Sequence, residues 1–136
     1  MSNVEQTLSI IKPDAVERNL QEKIKTDFVQ NNFNIIKEKK IHISKNEAED
    51  FYRVHETKPF YNELCEYLSS GPIVVMVLEK SNAVSENRKI MGATDPKKAD
   101  QGTLRAKYGI SIDKNSVHGS DSTENAKKEI EFFFKD

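Results

Sequence analysis

The run Ile73-Val74-Val75-Met76-Val77-Leu78 restricts the possible folds more than any other stretch of the chain. Six consecutive apolar residues, rich in β-branched side chains and preceded by the breaker Ser70-Gly71-Pro72, predict a strand buried on both faces. Such a strand belongs in the middle of a sheet, not at its edge. The run is far too short to cross a membrane. A chain of 136 residues fits one domain, spanning 1–136, that can bury roughly two-thirds of its unfolded surface.

Around this strand the patterns alternate. Thr7-Leu8-Ser9-Ile10-Ile11 predicts a short buried strand, ended by Lys12-Pro13-Asp14. Pro13 keeps Lys12 extended and cannot continue a ladder, which sets Lys12 at the mouth of a sheet. An ordinary surface lysine is the simpler alternative. Leu20, Ile24 and Phe28 recur at helical spacing and predict a helix over 20–31, with Asn31-Asn32 as a left-handed stop. Phe33 to Ile43 predicts a strand whose charged centre, Lys37-Glu38-Lys39-Lys40, suits an edge. Ser44 and Glu47 have capping-box spacing and open a helix carrying Ala48, Phe51 and Tyr52, with His55 one turn on. Thr57-Lys58-Pro59 opens the next helix, in which Phe60, Leu64 and Leu68 share a face. Ser81 is expected to cap a helix reaching about Met91, with Arg88 near the end where the dipole favours a cation. Residues 92–114 follow no clear period, and an irregular stretch of that length usually has a purpose. His55 could be a ligand or a helix-end histidine; Phe60 could be core or an exposed stacking ring.

The stretch Asn115-Ser116-Val117-His118-Gly119-Ser120-Asp121-Ser122 gathers a histidine, a glycine, hydroxyls and a carboxylate. A helix pattern follows, with Ala126, Ile130, Phe133 and Phe134 on one face and Ser122 or Asp121 as its cap. His118 is thereby expected just before a helix N-terminus, where anions are favoured. Gly119 is expected to leave room for an approaching ligand. A neutral imidazole at such a corner can attack phosphorus; a histidine beside an ordinary polar cap is the alternative.

Net charge is −1, from 21 basic and 22 acidic residues, so no basic excess exists to grip a nucleic-acid backbone. An anion site must be built from a few converging cations. Cys65 is the only cysteine, which excludes an intramolecular disulfide, and its apolar surroundings fit a small core residue. Zinc-ligand spacings, the GxxxxGK[ST] phosphate loop and the GxGxxG fingerprint are absent. The first residues lack the basic and apolar regions of a signal peptide, so the expected location is the cytoplasm.

Together these residues resemble the nucleoside diphosphate kinase family, in its bacterial form, along nearly the whole chain. The resemblance is carried by Ile11-Lys12-Pro13-Asp14-Ala15, Tyr52, His55, Pro59-Phe60, Ser70-Gly71-Pro72 and Arg88. It continues through Met91-Gly92-Ala93-Thr94-Asp95-Pro96, Gly102-Thr103-Leu104-Arg105, residues 115–122 and Glu129-Ile130. It implies an α+β, ferredoxin-like fold: a four-stranded antiparallel sheet with helices on its faces. The alternation alone would equally fit a parallel doubly wound sheet.

The implied activity moves the γ-phosphate of a nucleoside triphosphate, typically ATP, to a nucleoside diphosphate in a ping-pong reaction. His118 would carry the phosphoryl group, attacking through Nδ1 while backbone holds the other nitrogen, with Ser120 and Glu129 orienting the ring. Tyr52 and Lys12 would sit near the transferred group. Arg88, Arg105, His55 and Thr94 would bind phosphates, and Lys12 and Asn115 would reach the ribose. The base would lie between Phe60 and Ile112, where stacking tolerates any base. Mg2+ would arrive on the nucleotide phosphates and meet Asp121 only through water, with no direct protein ligand. Partners implied are nucleoside di- and triphosphates and further copies of the chain, as a hexamer or a tetramer, with no nucleic acid and no membrane. Lys58, Glu22 and Gln101 depart from the family's usual residues at their positions, and none of the three touches the phosphate chemistry. A nucleotide-binding module without catalysis and a histidine phosphatase are the rival functions.

Overall fold

The computed structural model describes residues 4–53, 56–59, 61–110 and 116–134. Four strands, β1 (Val4–Ile11), β2 (Asn34–Ile41), β3 (Ile73–Ser81) and β4 (Val117–Gly119), form one sheet in the order β2-β3-β1-β4. Every neighbouring pair is antiparallel. Seven α-helices are described: α1 (Pro13–Glu17), α2 (Gln21–Gln30), α3 (Lys45–Phe51), α4 (Tyr61–Leu68), α5 (Ala83–Met91), α6 (Leu104–Tyr108) and α7 (Thr123–Phe133).

The apolar run of β3 is unbroken because both of its faces are covered. Val74, Met76 and Leu78 pack with Ile24 and Phe28 of α2, Ala83 and Met91 of α5 and Leu104 of α6. Ile73 and Val75 turn the other way, onto Ala48, Cys65, Leu68 and Phe133 from α3, α4 and α7. Burying each large aliphatic or aromatic side chain stabilises the fold by about 1.5–3 kcal/mol. A continuous apolar strand usually marks a parallel sheet. Here an antiparallel sheet with helices on both faces makes the same demand, which is why the pattern fitted both topologies.

β2 is the open edge that its charged centre predicted. Residues Lys37 to Lys40 are exposed, and the register slips between Ile35 and Lys37. The capping box is formed: the Glu47 amide donates to Ser44 Oγ at 3.1 Å, and the Ser44 amide donates to Glu47 Oε1 at 3.0 Å. Asn32 takes the left-handed conformation, with φ of 69°, and ends α2 as expected.

Three expectations change. Ser81 does not cap α5; it is the last residue of β3, held there by pairing with Val4, and the N-cap is Asn82 with φ of 56°. Pro59 does not open α4. The Lys58 carbonyl accepts from the Tyr61 amide at 3.1 Å in a turn, and the helix begins at Tyr61. The irregular stretch holds a 3-10 turn at Pro96–Lys98, capped by Asp95, and the five-residue α6, capped by Thr103. Elements so short complete too few turns to show a helical period.

The layer between β1 and α5 contains buried hydroxyls. Thr7 and Ser9 are wholly buried, and their hydroxyl oxygens have no hydrogen-bond partner among the described residues. Thr7→Val keeps the shape and removes the desolvated hydroxyl, so it should stabilise the protein by about 1 kcal/mol. Urea denaturation of the two proteins checks this; a loss of stability would show that the hydroxyl is engaged.

Candidate active site

His118 is the middle residue of β4, opposite Ile10 of β1. The expected place ahead of a helix N-terminus gains a detail: a strand fixes the backbone of His118, and α7 begins only after Ser122. The hydroxyl of Ser122 caps that helix, accepting from the Asn125 amide at 3.1 Å. Just past the strand, Ser120 extends the contact with β1. Its amide donates to the Leu8 carbonyl at 3.2 Å, and its hydroxyl accepts from the Leu8 amide at 3.3 Å.

α7 supplies the next contact. Glu129 Oε1 lies 3.2 Å from His118 Nε2 and accepts from Ser120 Oγ at 2.9 Å. One carboxylate oxygen thus holds both the ring and the serine. The ring nitrogen expected to rest on backbone rests on this carboxylate. Phe51 and Tyr52, at the end of α3, wall the imidazole edge-on at centroid distances of 5.5 and 6.3 Å. Tyr52 is buried, and burial pushes its phenol far up, with the Glu129 charge adding to the effect. It therefore stays protonated at neutral pH and can act as a hydrogen-bond donor.

On the other side of Gly119 and Asp121 opens a cleft of about 280 Å³, lined also by Arg88, Gly92, Thr94 and Arg105. Arg105 is fastened at two points: its guanidinium donates to the Gly92 and Val117 carbonyls, each at 3.0 Å. Burial, and then the nearby charge of Arg88, bring its pKa down to about 10, which still leaves it charged at pH 7. The Nε of Arg105 is buried and has no partner among the described residues. Asp121 accepts from Asn125 Nδ2 at 2.6 Å, and that bond is the largest of the influences holding its carboxyl below the usual range. Two arginines and a threonine in one cleft form the local cluster of cations and donors that an anion site requires.

Gly119 has a reason beyond the one expected. A Cβ built there would lie 2.3 Å from Asn87 Nδ2 and 2.8 Å from Met91 Cε. The glycine lets α5 close against β4, and so brings Arg88 beside the histidine strand; this packing role comes in addition to its place in the lining of the cleft. Gly92 has φ of 85° and equally little room, its Cβ position being 2.5 Å from Thr103 Oγ1.

The structure thus brings together His118, Ser120, Glu129 and Tyr52 on one side, and Arg88, Thr94 and Arg105 on the other. Lys12 follows β1 directly; its amide donates to the Ser116 carbonyl at 2.8 Å, and the residue is only 6% exposed, so the surface-lysine alternative fails. His55, Phe60, Ile112 and Asn115 lie outside the described residues. Sequence reasoning missed Phe51, placed only on the helix with Ala48 and Tyr52, and Asn125, whose value depends on Asp121 four residues earlier. That i,i+4 spacing was the available signal.

Comparison with known proteins agrees with this geometry. Residues 5–136 match the family described as nucleoside diphosphate kinase. A nucleoside diphosphate kinase from a Nitratiruptor species is 59% identical over 131 residues, covering 96% of each chain. One from Granulibacter bethesdensis is 55% identical, covering 96% of this chain and 94% of its own. Among solved structures, the nucleoside diphosphate kinase of Aquifex aeolicus superposes with a TM-score of 0.94 at 42% identity, over 96% of this chain and 95% of that one. That of Encephalitozoon cuniculi gives 0.93 at 38% identity, over 97% and 90%.

Two measurements test the local account. Gly119→Ala should cost about 1–3 kcal/mol by overpacking against α5, and should cut phosphate-directed activity as β4 and α5 part. A variant with unchanged melting temperature would show that α5 yields freely. Asn125→Ala should raise the Asp121 pKa, read by NMR titration. Because the folded value lies below the unfolded one, the Asp121 contribution to stability is present above about pH 4 and lost as pH falls through the folded value. The variant should show less of that acid-side loss.

Proposed function

The chain belongs to the nucleoside diphosphate kinase family, and on that premise we propose that His118 is the residue that carries the phosphoryl group between two nucleotides. The observation that carries the proposal is the Glu129 carboxylate 3.2 Å from Nε2, which assigns one ring nitrogen a fixed structural partner. Nδ1 is then the nitrogen that attacks.

The chemistry follows from the parts. A nucleoside triphosphate lies with its phosphates toward Arg88, Thr94 and Arg105. Neutral His118 attacks the γ-phosphorus through Nδ1. An N–P bond forms, the bond between the γ-phosphorus and the bridging oxygen breaks, and the diphosphate leaves with the electron pair. The ring gains positive charge as the bond forms. Glu129 stabilises that charge through Nε2–H, and Ser120 keeps the carboxylate aimed. A second diphosphate occupies the same cleft and takes the group back by the reverse path, giving ping-pong kinetics. Phosphoryl transfer depends mainly on positioning and charge. Arg105, still protonated with a pKa of about 10, and Arg88 supply that charge. Tyr52, kept as a phenol, and Lys12 serve as donors beside the transferred group.

In this reading Mg2+ arrives as an ion carried by the substrate, and Asp121 is the carboxylate lining the cleft. The cation would neutralise phosphate charge, and Asp121 is the residue that would hold it, through its waters. His55 belongs to the phosphate contacts in this reading, Asn115 to the ribose, and Phe60 with Ile112 to the base. We also read the protein as a cytoplasmic homo-oligomer, a hexamer with a tetramer as rival. No helix among the described residues is long and apolar enough to cross a membrane.

His118→Asn tests the central assignment. It should keep the fold and bind Mg·ADP within a modest factor, while transfer falls by many orders of magnitude because the covalent route is gone. The unaltered protein, given γ-labelled triphosphate without acceptor, should hold label that survives base, is lost in acid and moves to added diphosphate. Label on His118→Asn at full stoichiometry would place the carrier elsewhere.

A further inference from the structure

Arg105 stands on α6, a helix of five residues. A helix so short has no stability of its own, so the position of the guanidinium depends on what grips the two ends as well as on its own bonds to the Gly92 and Val117 carbonyls. The N-terminal end is held by the Thr103 cap, whose Oγ1 accepts from the Ala106 amide at 3.3 Å, and by the fully buried Leu104. The C-terminal end is held from outside the site. Asp27, on the outer helix α2, accepts through Oδ2 from Lys107 Nζ at 2.8 Å and from Tyr108 Oη at 3.0 Å. Arg18, just past α1, adds one contact by donating to the Tyr108 carbonyl at 2.5 Å.

The Asp27 side chain is only 16% exposed, against 38% for Lys107. A partly desolvated carboxylate that accepts from two residues of one short helix is more than a surface ion pair, which would contribute little. It also faces a segment crowded with positive charge, since Arg105 and Lys107 share α6 and Arg88 is close enough to depress the Arg105 pKa. Removing Asp27 would leave that segment without this counter-charge and its last turn without two of its ties.

We propose that Asp27 is a positioning residue for the reaction: it touches no substrate, but by clamping Lys107 and Tyr108 it sets the place of Arg105 in the phosphate cleft. The inference rests on the reading of Arg105 as a phosphate contact. A displacement of about 1 Å in such a group can cost up to about a hundredfold.

The test measures Mg·ADP affinity by calorimetry, with thermal melting alongside, for Asp27→Ala, Asp27→Asn, Arg105→Ala and the reversed pair Asp27→Lys with Lys107→Asp. Asp27→Ala should weaken ADP roughly tenfold, with KM rising more than kcat falls, since the clamp acts on a binding group. Asp27→Asn, which still accepts from Tyr108, should lose less. Asp27→Lys alone should be worst, and the reversed pair should recover most of the affinity. A loss of melting temperature with unchanged ADP affinity in Asp27→Ala, while Arg105→Ala does lose affinity, overturns the proposal and leaves Asp27 a purely structural contact. Unchanged affinity in both variants overturns the phosphate role of Arg105, and the proposal with it. Should Asp27→Ala fail to fold, Asp27→Asn and the reversed pair carry the same comparison, and no recovery in the reversed pair counts against the clamp.

Discussion

β4 has three residues, and everything chemical about the molecule depends on its pairing with β1. A strand that short cannot hold a side chain in place unaided. It is fixed because β1 lies between it and β3, paired with β3 along all eight of its residues. The histidine therefore inherits the rigidity of the centre of the sheet while standing at its rim. The hydrogen bonds between Ser120 and Leu8 continue that pairing one step past the strand, and Glu129 then fixes the ring from a helix that itself packs on β1. Backbone, ring plane and ring nitrogen are each set by a different element.

The second dependence is a distance of closest approach. α5 lies so near β4 that a side chain at 119 would have to displace the buried ends of Asn87 and Met91, which fill that position. That contact joins the two halves of the site, because Arg88 follows Asn87 directly and Gly119 follows His118. Arg105 then ties the cleft together by bonding to the carbonyls of Gly92, just past α5, and of Val117, in β4. The cations are thus attached to the same backbone segments as His118. Relative movement between charge and histidine is resisted by packing as well as by hydrogen bonds.

Much of this was legible in the sequence, for reasons that differ by residue. The β3 run, the charged β2 edge, the Ser44–Glu47 box and the Asn32 stop are local signals that survive into the structure, whereas Ser81 and Pro59 lose their expected helix-start roles to strand pairing and a turn. The antiparallel topology was not readable from periodicity, because two covered faces demand the same apolar run in either topology; the resemblance to a family supplied it. His118 was marked by its neighbours, yet its place in a strand was not, since three residues carry no pattern. The packing role of Gly119 was not legible because the atoms that crowd a side chain come from residues 87 and 91, which are far away in sequence. Phe51 gave no signal beyond its place on a helix, and its contact with the imidazole exists only once α3 meets β4. Lys12 was placed at the sheet mouth by Pro13, but its burial under the Ser116 segment carries no sequence signal.

The order of the strands has a consequence for how the molecule comes into being. β1 is made first, but its partners β3 and β4 come from far later in the chain, and the carboxylate that aligns the ring comes from residue 129. Synthesis runs at about 5–20 residues per second. The earliest strand therefore spends seconds as an apolar segment with neither neighbour available, while the open edge strand made soon after it is protected by its lysines from adventitious pairing. Such long-range closure makes the alignment of the His118 ring by Glu129 one of the last steps of folding. An unfinished chain can own the arginines and the sheet and still lack the carboxylate that holds the ring.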